Sequence, residues 1–251
     1  MKQSRFTARL FCTAMVFFLI SCGGSGSTET ASTTSATDTA SGATATTPVI
    51  AAPVSTIVTT PMNMMVVKHK VANFAKWLAS FEEHDSLRLA NGLHKYVIGR
   101  GVMDTNMILV AVKTDDLAKA KAFAKDPSLK MAMQKSGVIG APMISFIIAT
   151  WQDTGTISTT LRSRTNFSVK DFDAWQKAFE TSKQERMDNG ITDRVISHDA
   201  DDNKKVSLVT AVTDTAKAFA YYKSDALKKR REASGVIGTP DRFLYTIARR
   251  Y

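Results

Sequence analysis

Cysteine is almost missing from this chain: Cys12 and Cys22 are the two among 251 residues, and none follows position 22. The body of the protein therefore has no thiol for a disulfide, a cysteine metal site or a nucleophile. After Ile20 there is also no apolar run of the roughly 20 residues that a membrane-spanning helix needs. No phosphate-cradling glycine motif and no Gly-x-Ser-x-Gly elbow is present, so nucleotide binding and serine-hydrolase chemistry lose their usual warrants. The four histidines, His69, His84, His94 and His198, come from different segments. His69, His94 and His198 lack the close His/Asp/Glu spacing of a metal site, and neither a metal nor a cofactor is expected. Glu82-Glu83-His84-Asp85 supplies no compact ligand set, because neighbours on a helix point in different directions.

What is present begins with an address. Residues 1–9 carry Lys2, Arg5 and Arg9 and no acid, and Leu10 to Ile20 is apolar, the pattern of a secretory signal. Leu19-Ile20-Ser21-Cys22-Gly23 closes it and resembles the bacterial lipobox, in which the cysteine becomes the lipidated first residue. The expectation is a signal peptide over 1–21, lipidation at Cys22 and a lipid-anchored place in the cell envelope, at the outer membrane. Losing the signal takes the formal charge from +10 to +7. Lys228-Lys229-Arg230-Arg231 is the densest basic run, read either as an anionic-partner patch or as a solvated helix end. It has no interleaved aromatics for base stacking, and no nucleic-acid partner is expected. Residues 22–60 are almost wholly Ser, Thr, Ala and Gly and read as a flexible linker.

The folded part says one thing twice. Ser136-Gly137-Val138-Ile139-Gly140 returns as Ser234-Gly235-Val236-Ile237-Gly238, a register of 98 residues. The same register carries Trp77 onto Trp175, Phe81 onto Phe179, Arg88 onto Arg186 and Asn91-Gly92 onto Asn189-Gly190, so two units, 61–152 and 158–251, are expected. In the first, Met64 to Val71 reads as a strand and Asn73 as the N-cap of one helix running to Asn91-Gly92. His94 to Gly101 and Met107 to Lys113 read as a hairpin. Asp115 or Asp116 caps a second helix, Pro127 opens a further turn, and Met143 to Thr150 reads as the closing strand. The second unit repeats the order. Strand, helix, strand, strand, helix, strand is the split ferredoxin-like unit, with helices on one sheet face. The other face needs cover, and the second copy supplies it: an α+β fold, two βαββαβ units packed as an intramolecular pseudo-dimer, monomeric as a chain.

The pattern Trp77, Phe81, Glu83-His84, Arg88, Asn91-Gly92, Asp116 to Ala120, Met133, Ser136-Gly137-Val138 and Pro142 resembles the dimeric α+β barrel superfamily. That superfamily includes small proteins similar to antibiotic-biosynthesis monooxygenases, and the resemblance extends from about Met64 to the C-terminus. It implies the fold more than a reaction, since the superfamily hosts oxygenases, isomerases, haem-handling proteins and members of no known activity.

Helical projection puts Arg88 on the apolar stripe of Trp77 and Phe81, and Arg186 on that of Trp175 and Phe179. A guanidinium facing a core must find an anion or hydrogen-bond partners. Either each arginine lines a pocket walled by its tryptophan and holds an anionic group, or each packs its stem under the helix end and bonds backbone carbonyls. His84, whose counterpart is Ser182, is the candidate for proton transfer in the first unit alone, with a structural role as the alternative. The repeated Ser-Gly-Val-Ile-Gly reads as a turn pinned to the core or, with clustered N–H groups, as an anion site. The functional expectation is a small-molecule binding module, for an anionic or aromatic ligand. The alternatives are a cofactor-independent oxygenase-like enzyme and a non-catalytic envelope scaffold.

Overall fold

A computed structural model describes residues 55–251. The signal, Cys22 and most of the expected linker lie outside the described residues. The chain runs through β1 (Ile57–Val58), β2 (Met62–Val71), α1 (Phe74–Glu83), α2 (Asp85–Ala90), β3 (Leu93–Gly101), β4 (Met107–Thr114), α3 (Leu117–Phe123), α4 (Pro127–Lys135) and β5 (Val138–Asp153). The second copy follows as β6 (Leu161–Val169), α5 (Phe172–Thr181), α6 (Lys183–Asp188), β7 (Ile191–Asp199), β8 (Lys205–Val212), α7 (Thr215–Tyr222), α8 (Asp225–Ala233) and β9 (Val236–Arg250). This is the expected α+β fold of two ferredoxin-like units.

Each unit forms an antiparallel four-stranded sheet, β5-β2-β4-β3 and β9-β6-β8-β7. The units meet edge to edge as well as face to face: β3 pairs with β9, and β5 pairs with β7. Eight strands thus close a barrel and leave neither sheet with an open long edge, which removes the template for aggregation that such edges present. The alternation of β2 decides what goes where. Met65 and Val67 point outward to pack under Trp77 and Phe123, whereas Met64 and Val66 point into the barrel with Leu109, Ala111 and Tyr245.

Three boundaries differ from the sequence reading, each for a local reason. The expected first helix breaks at His84, which has φ −93 and ψ 22, so α1 ends there and α2 restarts at Asp85; Ser182 breaks the copy in the same place. The closing strands are longer than expected. After α4, Gly137 at φ 88 turns the chain and Val138 at once pairs with Val71; Gly140 at φ 72 then sits where the β2–β5 register shifts. Last, Ile57–Val58, read as linker, pairs with the far end of β5. Two β-branched residues hidden in a Ser/Thr-rich stretch find a partner because β5 extends to Asp153.

Candidate functional site

Between helices and sheet each unit has a cavity. The first, of about 90 Å³, is lined by side chains of β2, α1, α2 and α4 and brings together His69, Trp77, Phe81, His84 and Arg88. Trp77 is buried in a stack, its ring 5.2 Å from Phe81 and 5.9 Å from Phe74, with His69 tilted against it at 5.3 Å. The helical spacing 74, 77, 81 puts all three rings on one face of α1, and α2 continues that face with Arg88. The Arg88 guanidinium lies 3.8 Å over the Phe81 ring and donates from Nη2 to Asp85 at 3.0 Å, while its buried Nε has no partner.

The second cavity, of about 80 Å³, brings Trp175, Phe179 and Arg186 together in the same way. Here the arginine is internally satisfied. Its Nε and Nη2 donate to the two oxygens of buried Asp193 at 2.8 and 2.6 Å, and Nη1 donates to the Phe179 carbonyl and the Ser182 hydroxyl at 2.7 and 2.9 Å. Such a forked pair is among the stronger interactions available to a guanidinium, and it leaves little to offer a ligand. The sequence reading offered backbone carbonyls as the packing partners of Arg186; one such bond is present, to Phe179, and the others go to Ser182 and to Asp193, which that reading did not name. In the register of 98, Asp193 corresponds to Lys95, whose ammonium instead bonds Glu82 at 2.8 Å and Asp85 at 3.1 Å. The repeat therefore preserves the arginine and discards its buried carboxylate in the first unit.

His84 stands half-buried at the α1–α2 break, where Nδ1 lies 2.7 Å from the Ser80 carbonyl. A carbonyl can only accept, so Nδ1 carries a proton and donates it to this bond. The group that sequence reading passed over is His69. It is 4 % exposed, and neither ring nitrogen has a hydrogen-bond partner. Burial lowers its pKa to about 4, so it is a neutral imidazole at neutral pH. The signal was available in the repeat: His69 occupies the position of Phe167, which packs on Trp175 at 5.2 Å just as His69 packs on Trp77.

The repeated glycine turn is used structurally. The Gly137 and Gly235 amides donate into the preceding helix ends, and their carbonyls accept from Ala72 and Lys170. In the Lys228 to Arg231 run the two lysines are exposed. Arg230 pairs with Glu185 and Arg231 borders the second cavity, so half of the run packs inward. Among the described residues no group of three His, Cys, Asp or Glu side chains is arranged to hold a metal ion.

No family model matches the chain, and no curated protein matches it. Solved structures do. A protein provisionally assigned as a monooxygenase from Fusobacterium nucleatum is 12% identical, with 75% of this chain and 93% of that chain covered at a TM-score of 0.50. An anthrone oxidase-like protein is 12% identical, with 77% and 94% covered at a TM-score of 0.51. At such identity the likeness establishes the fold, a ferredoxin-like α+β barrel, and the chemistry has to be argued from the side chains.

Proposed function

We propose that the first-unit cavity binds a small aromatic molecule carrying a hydroxyl, of the phenol class, and that the protein is a binding module. The observation that carries this is His69: a desolvated imidazole with two unused nitrogens, set against Trp77 in a mostly apolar cavity. A buried polar group without partners lowers stability unless something bonds to it. A neutral ring offers one donor and one acceptor, which suits a hydroxyl on an apolar ring. At about 90 Å³ the cavity is smaller than the roughly 150 Å³ that admits benzene, so a single ring enters with a modest outward shift of the lining. Arg88, with its Nε unpaired, stands at the wall as a second donor.

Catalysis is the second reading, favoured by the monooxygenase and anthrone oxidase-like descriptions of the two fold neighbours. His69 itself is poorly suited to be the base, because burial lowers its pKa to about 4, far below a phenol, so proton transfer would fall to His84. Hydrogen bonding needs no such transfer. The test is a titration of the full-length protein with phenol, 1-naphthol and anthrone, following tryptophan fluorescence and dissolved oxygen together. Saturable quenching without oxygen uptake, weakened at least tenfold in His69→Phe, is expected. Oxygen consumption abolished by His69→Phe or His84→Ala would establish the enzyme instead, and a lack of saturable binding across the panel would remove both readings.

The proposal includes the address. Cys22 is lipidated after removal of 1–21, which ties the folded part to the outer membrane. Cys22→Ser should abolish palmitate labelling and release the protein into the soluble fraction; unchanged labelling would refute it.

A further inference from the structure

The barrel interior has two halves that the repeat makes directly comparable. In the first unit the inward positions are Met64, Val66, Leu109 and Ile147; in the register of 98 the second unit places Arg162, Arg164, Ser207 and Tyr245 there. Tyr96 becomes Arg194 and Gln152 becomes Arg250 by the same rule. The fold therefore does not need arginines at these positions, because its other copy closes the same barrel with Met64, Val66, Tyr96 and Gln152 there. The arginines surround a cavity of about 70 Å³, into which four guanidiniums and one carboxylate, Asp153, face.

Arg162, Arg164 and Arg194 are each more than nine-tenths buried. Arg194 has an internal counter-ion: it donates to Asp153 at 3.1 Å and to the Gly155 carbonyl at 2.5 Å. Arg162 bonds only backbone, the carbonyls of Thr159 and Leu161 at 2.7 and 3.0 Å. Arg164 makes one bond, from Nε to the Ser207 hydroxyl at 2.8 Å. The exposed Asp241 acts on Arg164 only through space. Two buried cations thus have no carboxylate partner, and burial lowers the pKa of both. Removing a cation from water is unfavourable unless a counter-charge meets it, and Arg with its forked donors meets oxyanions best.

We propose that the barrel interior is a binding site for a small oxyanion, a carboxylate or phosphate group, held by Arg162, Arg164 and Arg194 beside Ser207 and Tyr245. The cavity has room for roughly two water volumes, the scale of such a group and not of a large molecule. Exposed Arg250 marks the way in. The site is separate from the His69 cavity and does not depend on what that cavity binds.

Thermal unfolding of the full-length protein in inorganic phosphate, sulfate, acetate and succinate, each exchanged for chloride at constant ionic strength, tests this. A saturable rise of several degrees with at least one of them is expected, and phosphate and sulfate against the carboxylates decides the class. The double variant Arg162→Met, Arg164→Val copies the first unit. It should lose the rise, with affinity at least tenfold weaker, while binding of a phenolic probe at His69 is unchanged. Should that variant not fold, Arg164→Gln, which keeps the bond to Ser207, must show the same loss. The proposal is overturned if no anion gives a saturable rise, or if a folded variant binds anions as the wild type does.

Discussion

His69 sets the pH behaviour that single residues contribute. Its pKa is about 4 when folded against 6.5 when free, so between these values the unfolded chain binds the extra proton. Stability is complete above pH 6.5, falls as pH drops through the window, and is lower by about 3 kcal/mol below pH 4. His69→Phe, the residue of the second copy, should flatten this slope and raise stability at pH 7 by about 1–2 kcal/mol, read from urea midpoints at several pH values. A gain at the expense of ligand affinity would mark the histidine as kept for function. Arg186 should behave oppositely. Asp193→Ala strands a buried cation and should cost about 3–5 kcal/mol, whereas Lys95→Ala, at the matching position where the side chain is 20% exposed, should cost under about 1 kcal/mol.

At the level of strands and helices, most of the architecture was legible because hydrophobic period and the letter-for-letter repeat agree. Asn73, Asp116, Asp171 and Asp214 each cap a helix through a side-chain oxygen, and Asn91-Gly92 ends one, as their chemistry dictates. What could not be read was contact between strands. Arg162 and Arg164 alternate with Ser163 and Thr165, a pattern that resembles an exposed strand, and only barrel closure buries both faces. The break at His84 was hidden for a similar reason: the ring bonds a carbonyl one turn back, and apolar period alone is blind to that. The seam between β3 and β9 is a test of element packing. Gly99 faces the ring of Tyr245 so closely that an added Cβ would occupy its carbons. Gly99→Ala should lower stability by about 1–3 kcal/mol through overpacking, seen as a lower melting temperature.

For the whole molecule, the two halves of the barrel are unequal partners. Residues 55–157 alone carry an apolar inner face and should associate with themselves, since a symmetric copy of that face is also apolar. Residues 158–251 alone would place Arg162, Arg164 and Arg194 opposite their own copies, six cations in one dry interior, and should remain monomeric or unfolded. Light scattering of the separated halves checks both expectations, and mixing them should restore a one-to-one complex. Two self-associating halves would show that the charge asymmetry does not decide pairing. The repeat made this pairing legible in outline, yet which half tolerates itself follows only from knowing which side chains face inward.

The short strand β1 has a mechanical consequence. Thr56 donates to Asp153 and its carbonyl accepts from Thr154, so a pull on the chain at Ser55 is borne first by two residues at the tip of β5. Those peel one bond at a time, whereas β2, paired along both edges, resists as a block loaded in shear. The same Asp153 carboxylate holds Arg194. Tension at the N-terminal end would therefore strip the Thr56 hydroxyl from that carboxylate at low force, long before the barrel yields, and leave Arg194 and the Gly155 amide as its remaining partners.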